Sequence, residues 1–399
     1  MRPSPAMVAV VAVALLVAAC GGGPILANPP LDFPAPVVPS AAPSAPPDPI
    51  AIALPRDDGP HDRLTEWWYY TGHLRNEIGR RFGFEAVVFR AERGSVPTSW
   101  AAHLALTDEA TGQFHYAQRS EIGPGVDQSP RDAAGDPTGF DFLVAGLSPG
   151  LVAGGAPSFG GPWRLAGSGG ADTIQAELRP EEAAAAGRSF GMNLALQATK
   201  PPALHDEDGF VDFGPAGSSY YYSRTRLSAS GELRLDDQTY AVDGIAWFDH
   251  QWGDFISVGG GWDWFAINLD DGTDLTLSVV RDANGEPVLG YGTIVDSLGT
   301  ARHLGPEDFD VRALGEWTSE VSGHVYPIHW NILLADAYVI ELTPTIEDQE
   351  LDTRATTGVA YWEGSQVVRA TVLDGSRGGS PIGGEAYVEV TRYGAQPAS

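Results

Sequence analysis

Short runs of alternating apolar and polar residues, bounded by glycine, aspartate or asparagine, recur along most of this chain. The run Ala102 to Thr107 is followed by turn residues at 108–112 and by a second run at 113–116. Such alternation is typical of strands with one buried face, and two runs around a short turn indicate an antiparallel hairpin. Helical periodicity is almost confined to residues 181–186, so the sequence predicts an all-β protein of the sandwich or barrel type. Further runs of this kind lie at 163–166, 172–178, 231–240, 275–281, 288–295, 330–343 and 384–393.

A faint internal repeat divides these strands into two similar halves. Each half has an aromatic pair, a leucine, a tight turn and a strand that ends in arginine. Agreement by chance is the alternative, because turn residues recur in all β proteins. We expect two antiparallel β domains in tandem, at residues 61–236 and 237–396. The matched segments are Trp68-Tyr69 with Trp264-Phe265, Leu74 with Leu269, 76–79 with 270–272, and 87–90 with 279–281.

The first 20 residues have the pattern of a bacterial lipoprotein leader. Arg2 supplies a positive charge, and residues 8–17 form an apolar run too short to span a bilayer, which takes roughly 20 residues. Val17 to Cys20 resembles a lipobox, at which the leader is removed and the thiol lipidated. We expect a signal peptide at 1–19 and an acyl anchor on Cys20, which would hold the protein in the cell envelope on the periplasmic or outer-membrane face. A plain signal peptide that happens to contain a cysteine is the alternative.

The residues after the expected anchor are rich in proline, alanine and serine. This composition at 20–60 cannot build a core, and it predicts an extended tether of roughly 100 Å. Cys20 is the only cysteine of the chain, so an intramolecular disulfide and a thiolate metal cluster are both excluded.

The charge balance and the motif content exclude several classes of function. With 52 acidic against 24 basic residues, the net charge of -28 argues against a nucleic-acid partner, since little would neutralise phosphates. The nine histidines form no H-E-x-x-H motif, and no phosphate-cradling glycine loop follows a strand. The sequence therefore predicts neither a metal site nor a cofactor.

Two aromatic-rich motifs carry a resemblance to a known family. Residues 66–74 and 249–253, with 261–265 downstream, resemble the signatures of the AttH and carotenoid 1,2-hydratase (hydroxyneurosporene synthase) family. The match runs from about Asp57 to Tyr393. The resemblance implies two tandem lipocalin-like antiparallel β-barrels, here after a signal peptide and a Pro-rich linker. The family includes enzymes that hydrate the terminal double bond of acyclic carotenoids, and lipoproteins often encoded beside transporter permeases.

Hydration of an isolated alkene needs a strong acid and aromatic faces that steady a tertiary cation. His250 and Trp252 lie two residues apart and would share one face of a strand. The resemblance implies a role for both in catalysis, with Asp249 or Asp263 as the acid. The hydratases also carry a tyrosine and an aspartate in a later strand, where this chain has residues 275–280 without either. A structural role therefore stays open, in which Asp249 and His250 pair with each other or with backbone.

Glu66 is a further candidate acid, because the apolar wall of Trp67-Trp68 would raise the pKa of its carboxyl. A salt bridge from Glu66 to Arg90 or Arg63 is the alternative.

A lipocalin-like barrel encloses an apolar cavity, which predicts a lipid or isoprenoid ligand. The sequence favours a membrane-anchored lipoprotein that binds such a ligand, with a transporter permease as candidate partner and without a cofactor. A carotenoid 1,2-hydratase-like lyase is the alternative. The residues expected to line the cavity are Trp67, Trp68, Tyr70, Phe89, Trp262 and Trp264.

Overall fold

The computed structural model describes residues 49–94, 96–146, 161–255, 260–335, 337–373 and 378–392. The expected leader, the lipidation site Cys20 and most of the expected tether lie outside these residues. Among the described residues, no helix is both long and apolar enough to cross a membrane.

Twelve described strands form one antiparallel sheet, which curls into a nearly closed barrel. Their order across the sheet is β4-β3-β2-β1-β12-β11-β8-β7-β6-β5, with β9 and β10 paired to β11. A short helix, α1, spans Pro180–Ala185 and matches the one helical segment that the sequence predicts. The strands are β1 (Thr65–Asn76), β2 (Arg81–Arg93), β3 (Val96–Asp108), β4 (Gln113–Ile122), β5 (Phe140–Val144), β6 (Trp163–Ser168), β7 (Ala171–Glu177), β8 (Phe190–Ala198), β9 (Ala203–Leu204), β10 (Phe210–Asp212), β11 (Gly217–Leu235) and β12 (Gln238–Phe255).

Ten described strands form a second antiparallel sheet, a half-barrel. Its order is β16-β15-β14-β13-β22-β21-β19-β18-β17, with β20 paired to β21. The prediction of an all-β fold with two tandem barrels is confirmed. The strands are β13 (Gly261–Leu269), β14 (Asp274–Arg281), β15 (Pro287–Val295), β16 (Ala301–Leu304), β17 (Phe309–Thr318), β18 (Val325–Leu334), β19 (Tyr338–Pro344), β20 (Glu350–Asp352), β21 (Ala360–Val372) and β22 (Pro381–Arg392).

The chain passes from the first sheet to the second later than the sequence suggests. The expected division between 236 and 237 falls in the turn that joins β11 to β12, where Asp236 adopts a left-handed φ of 51°. Both strands belong to the first sheet, because β12 returns to pair with β1. The change of sheet therefore lies between 255 and 261.

The internal repeat is present, but with an offset of one residue. In each sheet the first long strand pairs with the last one, β1 with β12 and β13 with β22. Trp68 packs in the core of the first barrel, whereas Trp264 packs between the two sheets and Phe265 takes the corresponding core position in the second. A shift of one residue reverses the face of a strand, so the expected pairing of Trp68 with Trp264 is wrong in register.

The last residues of the expected tether are part of the fold. A 3-10 turn at Arg56–Asp58 leads into the barrel end, and Asp58 is fully buried there. Its carboxylate accepts hydrogen bonds from Arg224 at 2.7 Å and from the Tyr222 hydroxyl at 2.5 Å, and Trp68 Nε1 donates to the Asp58 carbonyl at 2.9 Å. The tether therefore ends before residue 56. We call residues 49–62 the N-terminal segment.

We expect Asp58→Ala to lower the free energy of unfolding by about 3–5 kcal/mol, because the substitution leaves the buried Arg224 without its partner. Urea unfolding followed by tryptophan fluorescence measures the change. Asp62→Ala is the matched control: its side chain is 94% exposed, and we expect a change of about 0.5 kcal/mol or less. Equal effects of the two substitutions would contradict a structural role for Asp58.

Candidate functional site

The alternation of side chains along β1 and β12 distributes the predicted site residues over opposite faces of the first sheet. Glu66 and Trp68 on β1 face the barrel interior together with His250 and Trp252 on β12, and the register pairs Glu66 with Trp252 and Trp68 with His250. The prediction that His250 and Trp252 share one face is therefore correct. Asp249 points away from them, towards the second sheet.

The predicted acids Asp249 and Asp263 do not meet His250. Asp249 accepts hydrogen bonds from the Tyr221 hydroxyl and from Trp247 Nε1, both at 2.6 Å, and from Ser223. The expectation that Asp249 and His250 pair with each other is therefore wrong. Asp263 shares its face of β13 with Phe265, in the second barrel, and its carboxylate lies 2.7 Å from Arg281.

Two histidines converge on one oxygen of Glu66 inside the first barrel. His250 Nε2 lies 3.0 Å and His61 Nδ1 lies 2.7 Å from Glu66 Oε1. Arg90 approaches the other oxygen, Oε2, at 3.7 Å, whereas Arg63 pairs with Asp254 instead. The expected salt bridge between Glu66 and Arg90 is thus longer than the contacts of Glu66 with the two histidines. We call His61, Glu66 and His250 the barrel cluster.

The charges of the barrel cluster differ from the sequence-based expectation. Burial raises the pKa of Glu66, but the nearby His61 charge and the hydrogen bonds of both histidines outweigh it and lower the pKa to about 2. The prediction of a raised pKa for Glu66 is therefore wrong. Burial lowers the pKa of His250, while Glu66 and Asp57 outweigh burial and raise the pKa of His61. Glu66 is anionic, so it cannot donate a proton to a substrate.

Aromatic rings pack tightly around the barrel cluster. The His61 ring stacks on Trp252 with 4.1 Å between centroids, and His250 lies 4.6 Å from Trp68. Tyr70, another predicted ligand residue, packs on Phe248 at 4.6 Å and donates to Asp172 at 2.9 Å. Trp68 and Tyr70 thus belong to the packed core of the first barrel.

A second group of ionisable residues lies between the two sheets, and we call it the acid cluster. Glu85 on β2 and Glu363 on β21 are buried, and Glu389 on β22 is half-buried. The Tyr361 hydroxyl donates to Glu85 Oε1 at 3.0 Å, and the Tyr69 hydroxyl donates to Glu363 Oε1 at 2.5 Å. The two sheets therefore contact each other through buried tyrosine–carboxyl hydrogen bonds.

Burial favours the protonated forms of the acid cluster. It raises the pKa of Glu85 to about 8, that of Glu389 to about 7 and that of Glu363 well above its usual value, with the neighbouring carboxyl groups adding to the effect. Oε1 of both Glu85 and Glu363 accepts a tyrosine hydrogen bond, while Oε2 of each has no partner among the described residues. Oε2 is therefore the oxygen of each carboxyl that is free to carry the acidic proton.

The residues predicted to bind the ligand lie in two different places, the core of the first barrel and the contact between the two sheets. Trp67, Phe89, Trp262 and Trp264 pack between the sheets, with Trp67 and Trp262 only half-buried. Trp262 Nε1 donates to Glu389 Oε1 at 3.0 Å, which brings this aromatic group to the acid cluster. The six predicted aromatic residues therefore do not line one common cavity.

Neither the acid cluster nor His61 was predicted from the sequence. Each acid stands between apolar or aromatic neighbours, as in Phe84-Glu85-Ala86 and Val388-Glu389-Val390. In an isolated sheet that position faces water, so the acids look like ordinary exposed residues. An acid in the middle of an otherwise apolar strand was the available signal. His61 lies at the start of the expected first domain, five residues before Glu66.

The comparisons with known proteins agree with this architecture. The profile of the AttH-like family matches residues 45–393. The chain belongs to the AttH-like family. A solved structure of an AttH protein from Nitrosomonas europaea shares 29% identity at a TM-score of 0.70, covering 90% of this chain and 99% of that one. No curated protein sequence matches the chain.

Two more distant structures share the fold of this AttH-like protein. Kievitone hydratase from Nectria haematococca has 14% identity and a TM-score of 0.59, and it covers 86% of this chain and 93% of its own. CghA with Sch210972 has 12% identity and a TM-score of 0.51, covering 82% and 89%. At these identities the likeness establishes the common fold alone.

We expect the free energy of unfolding to fall between about pH 4.5 and pH 8. The folded pKa values of Glu85 and Glu389 lie above the unfolded value of about 4.5, so the stabilisation is complete below that pH and is lost as the pH rises through about 7 and 8. Urea unfolding at several pH values measures it.

Glu389→Gln tests the assignment, because glutamine retains the acceptor for Trp262 but does not ionise. We expect it to remove up to about 3 kcal/mol of the pH dependence. Glu232→Gln, at an exposed position, is the control and should leave the profile unchanged. An unaltered profile in Glu389→Gln would contradict a raised pKa for this carboxyl.

Proposed function

We propose that this chain is a hydro-lyase that binds an apolar alkene between its two sheets and adds water to the double bond. The observation that carries the proposal is the pair Glu85 and Glu363, two buried carboxyl groups whose Oε2 atoms have no hydrogen-bond partner among the described residues. A carboxylic acid kept neutral at physiological pH can give a proton to carbon, which an exposed carboxylate cannot.

The proposed reaction transfers one proton and adds one water molecule. The Glu85 carboxyl donates its proton to the less substituted alkene carbon, and the π electrons form the new C–H bond. Water attacks the tertiary cation left on the other carbon and forms the C–O bond. The Glu85 carboxylate then takes the extra proton from that oxygen, which returns the acid to its starting state.

Glu85 is the better donor of the pair. A general acid works best when its pKa lies near the working pH, and burial brings the pKa of Glu85 to about 8, whereas it raises that of Glu363 well above the usual value. Glu363 then acts as a positioning residue, which stays neutral and leaves Glu85 free of an adjacent full charge.

Aromatic faces beside the acid cluster suit a cationic intermediate. Trp264 packs edge-to-face on Tyr69 with 5.3 Å between centroids, and on Trp247 at 6.2 Å. Trp67 and Trp262 are half-buried against the same aromatic group and offer an apolar entrance. These rings support an isoprenoid substrate such as an acyclic carotenoid. His250 and Trp252 face the barrel interior, on the opposite face of the first sheet from the acid cluster. In this proposal they therefore do not touch the substrate.

Binding without turnover is the second candidate. It is favoured by Leu275, Leu277 and Val279 on β14, where the resemblance to the carotenoid hydratases calls for a tyrosine and an aspartate. In that case the protein would be a lipoprotein anchored through Cys20 that carries a lipid or isoprenoid, with a transporter permease as its partner. Lipid that copurifies with the leaderless chain, without any change to added alkene, would favour this candidate.

Neurosporene or lycopene offered in detergent should give a product heavier by one water. We expect Glu85→Gln to lower kcat/KM by about 10²–10⁴-fold, as for the loss of a general acid. Glu350→Gln removes a buried carboxyl bonded to Ser319, Ser322 and Tyr326 elsewhere in the second sheet, and it should leave the rate unchanged. Unchanged pigment with the native chain, or equal rates in both variants, would refute the assignment.

A further inference from the structure

We infer that the barrel cluster is a binding site for one divalent transition-metal ion, with Zn²⁺ as its natural occupant. One potential ligand atom from each of His61, Glu66 and His250 lies within 4.8 Å of the other two, and His61 Nδ1 and His250 Nε2 both contact Glu66 Oε1. Two imidazoles and one carboxylate are a donor set common in zinc sites that keep a fourth position open. The inference does not depend on the proposed hydration, which uses the acid cluster on the other face of the sheet.

The distances between donors fit a small metal ion after a slight adjustment. Zinc–nitrogen and zinc–oxygen bonds of about 2.0–2.1 Å place tetrahedral donors roughly 3.3 Å apart. The two nitrogens lie 2.7 and 3.0 Å from Glu66 Oε1. Without a metal, protons bridge these contacts. An ion at the centre would displace the protons and move each donor outward by a few tenths of an ångström, roughly the movement that side-chain rotation supplies.

Two of the three metal donors lie on paired strands, and the third lies on the N-terminal segment. Glu66 on β1 and His250 on β12 sit diagonally across a paired ladder, in which Glu66 faces Trp252 and His250 faces Trp68. His61 comes from the N-terminal segment. Rigid strands with one donor on a connecting segment allow a metal ion to enter and then fasten that segment to the barrel.

The surrounding groups supply several features expected of a metal centre, although the second ring nitrogen of His250 has no hydrogen-bond partner among the described residues. The second ring nitrogen of His61 lies 3.6 Å from Asp57 Oδ1, the carboxylate–histidine relation that orients ligating imidazoles. Arg90, 3.7 Å from Glu66 Oε2, leaves Oε1 for the ion. Trp252 and Trp68 form apolar walls. The His61 side chain is 20% exposed, which gives the ion a path from solvent, while Glu66 and His250 are fully buried.

Isothermal titration of the EDTA-dialysed full chain with ZnCl₂ tests the inference. We expect one ion per chain, and a weakening of about 100-fold or more in His61→Gln and in His250→Gln. His205→Gln is the matched control: His205 is also fully buried and bonds Thr293 and Ser223 near the second sheet. This control should bind zinc as the native chain does.

Two further measurements distinguish the loss of a metal ligand from misfolding of a variant. Zn²⁺ should raise the melting temperature of the native chain and of His205→Gln but not of His61→Gln, whose ring is the least buried of the three donors. With Co²⁺, the native chain should show the intense visible absorption of a tetrahedral site. His61→Gln and His250→Gln should not show this absorption. Absence of zinc binding to the native chain, or binding in both ligand variants as tight as in the native chain, would overturn the inference and leave the proposed hydratase unaffected.

Discussion

The pairing of β1 with β12 governs the arrangement of this molecule. The two strands run antiparallel from the pair Thr65 and Gly253 to the pair Asn76 and Val242, so residues far apart in sequence share one ladder. Since successive side chains alternate, the same two strands line the interior of the first barrel and form the surface that meets the second sheet. The barrel cluster and the acid cluster consequently lie on opposite faces of the first sheet.

Carboxyl groups lie at the contact between the two sheets, where apolar residues would be expected. Burial of a carboxylate is costly unless the group is paired, so burial favours the protonated form of each acid, and each accepts a hydrogen bond from a tyrosine or a tryptophan. Glu85, Glu363 and Glu389 follow this rule. Such an interface retains groups that can exchange a proton.

The sequence predicted the strands well because alternation and turn residues are local properties. It predicted the shared face of His250 and Trp252 for the same reason. It did not predict which partner lies beyond each face, and this explains the errors at Asp249, which faces the second sheet, and at Glu66, whose charge is set by His61. The division near residue 236 was wrong because nothing local to β12 reveals that this strand returns to β1.

The N-terminal segment gives the molecule a mechanical property. Asp58 is joined to Arg224 in the middle of β11, inside the barrel, and the Ile50 N–H donates to the Tyr220 hydroxyl on the same strand at 2.7 Å. Tension applied to the chain at residue 49 would load these two contacts before it reached any strand ladder. The end of the barrel would therefore open under force while the sheet stayed intact.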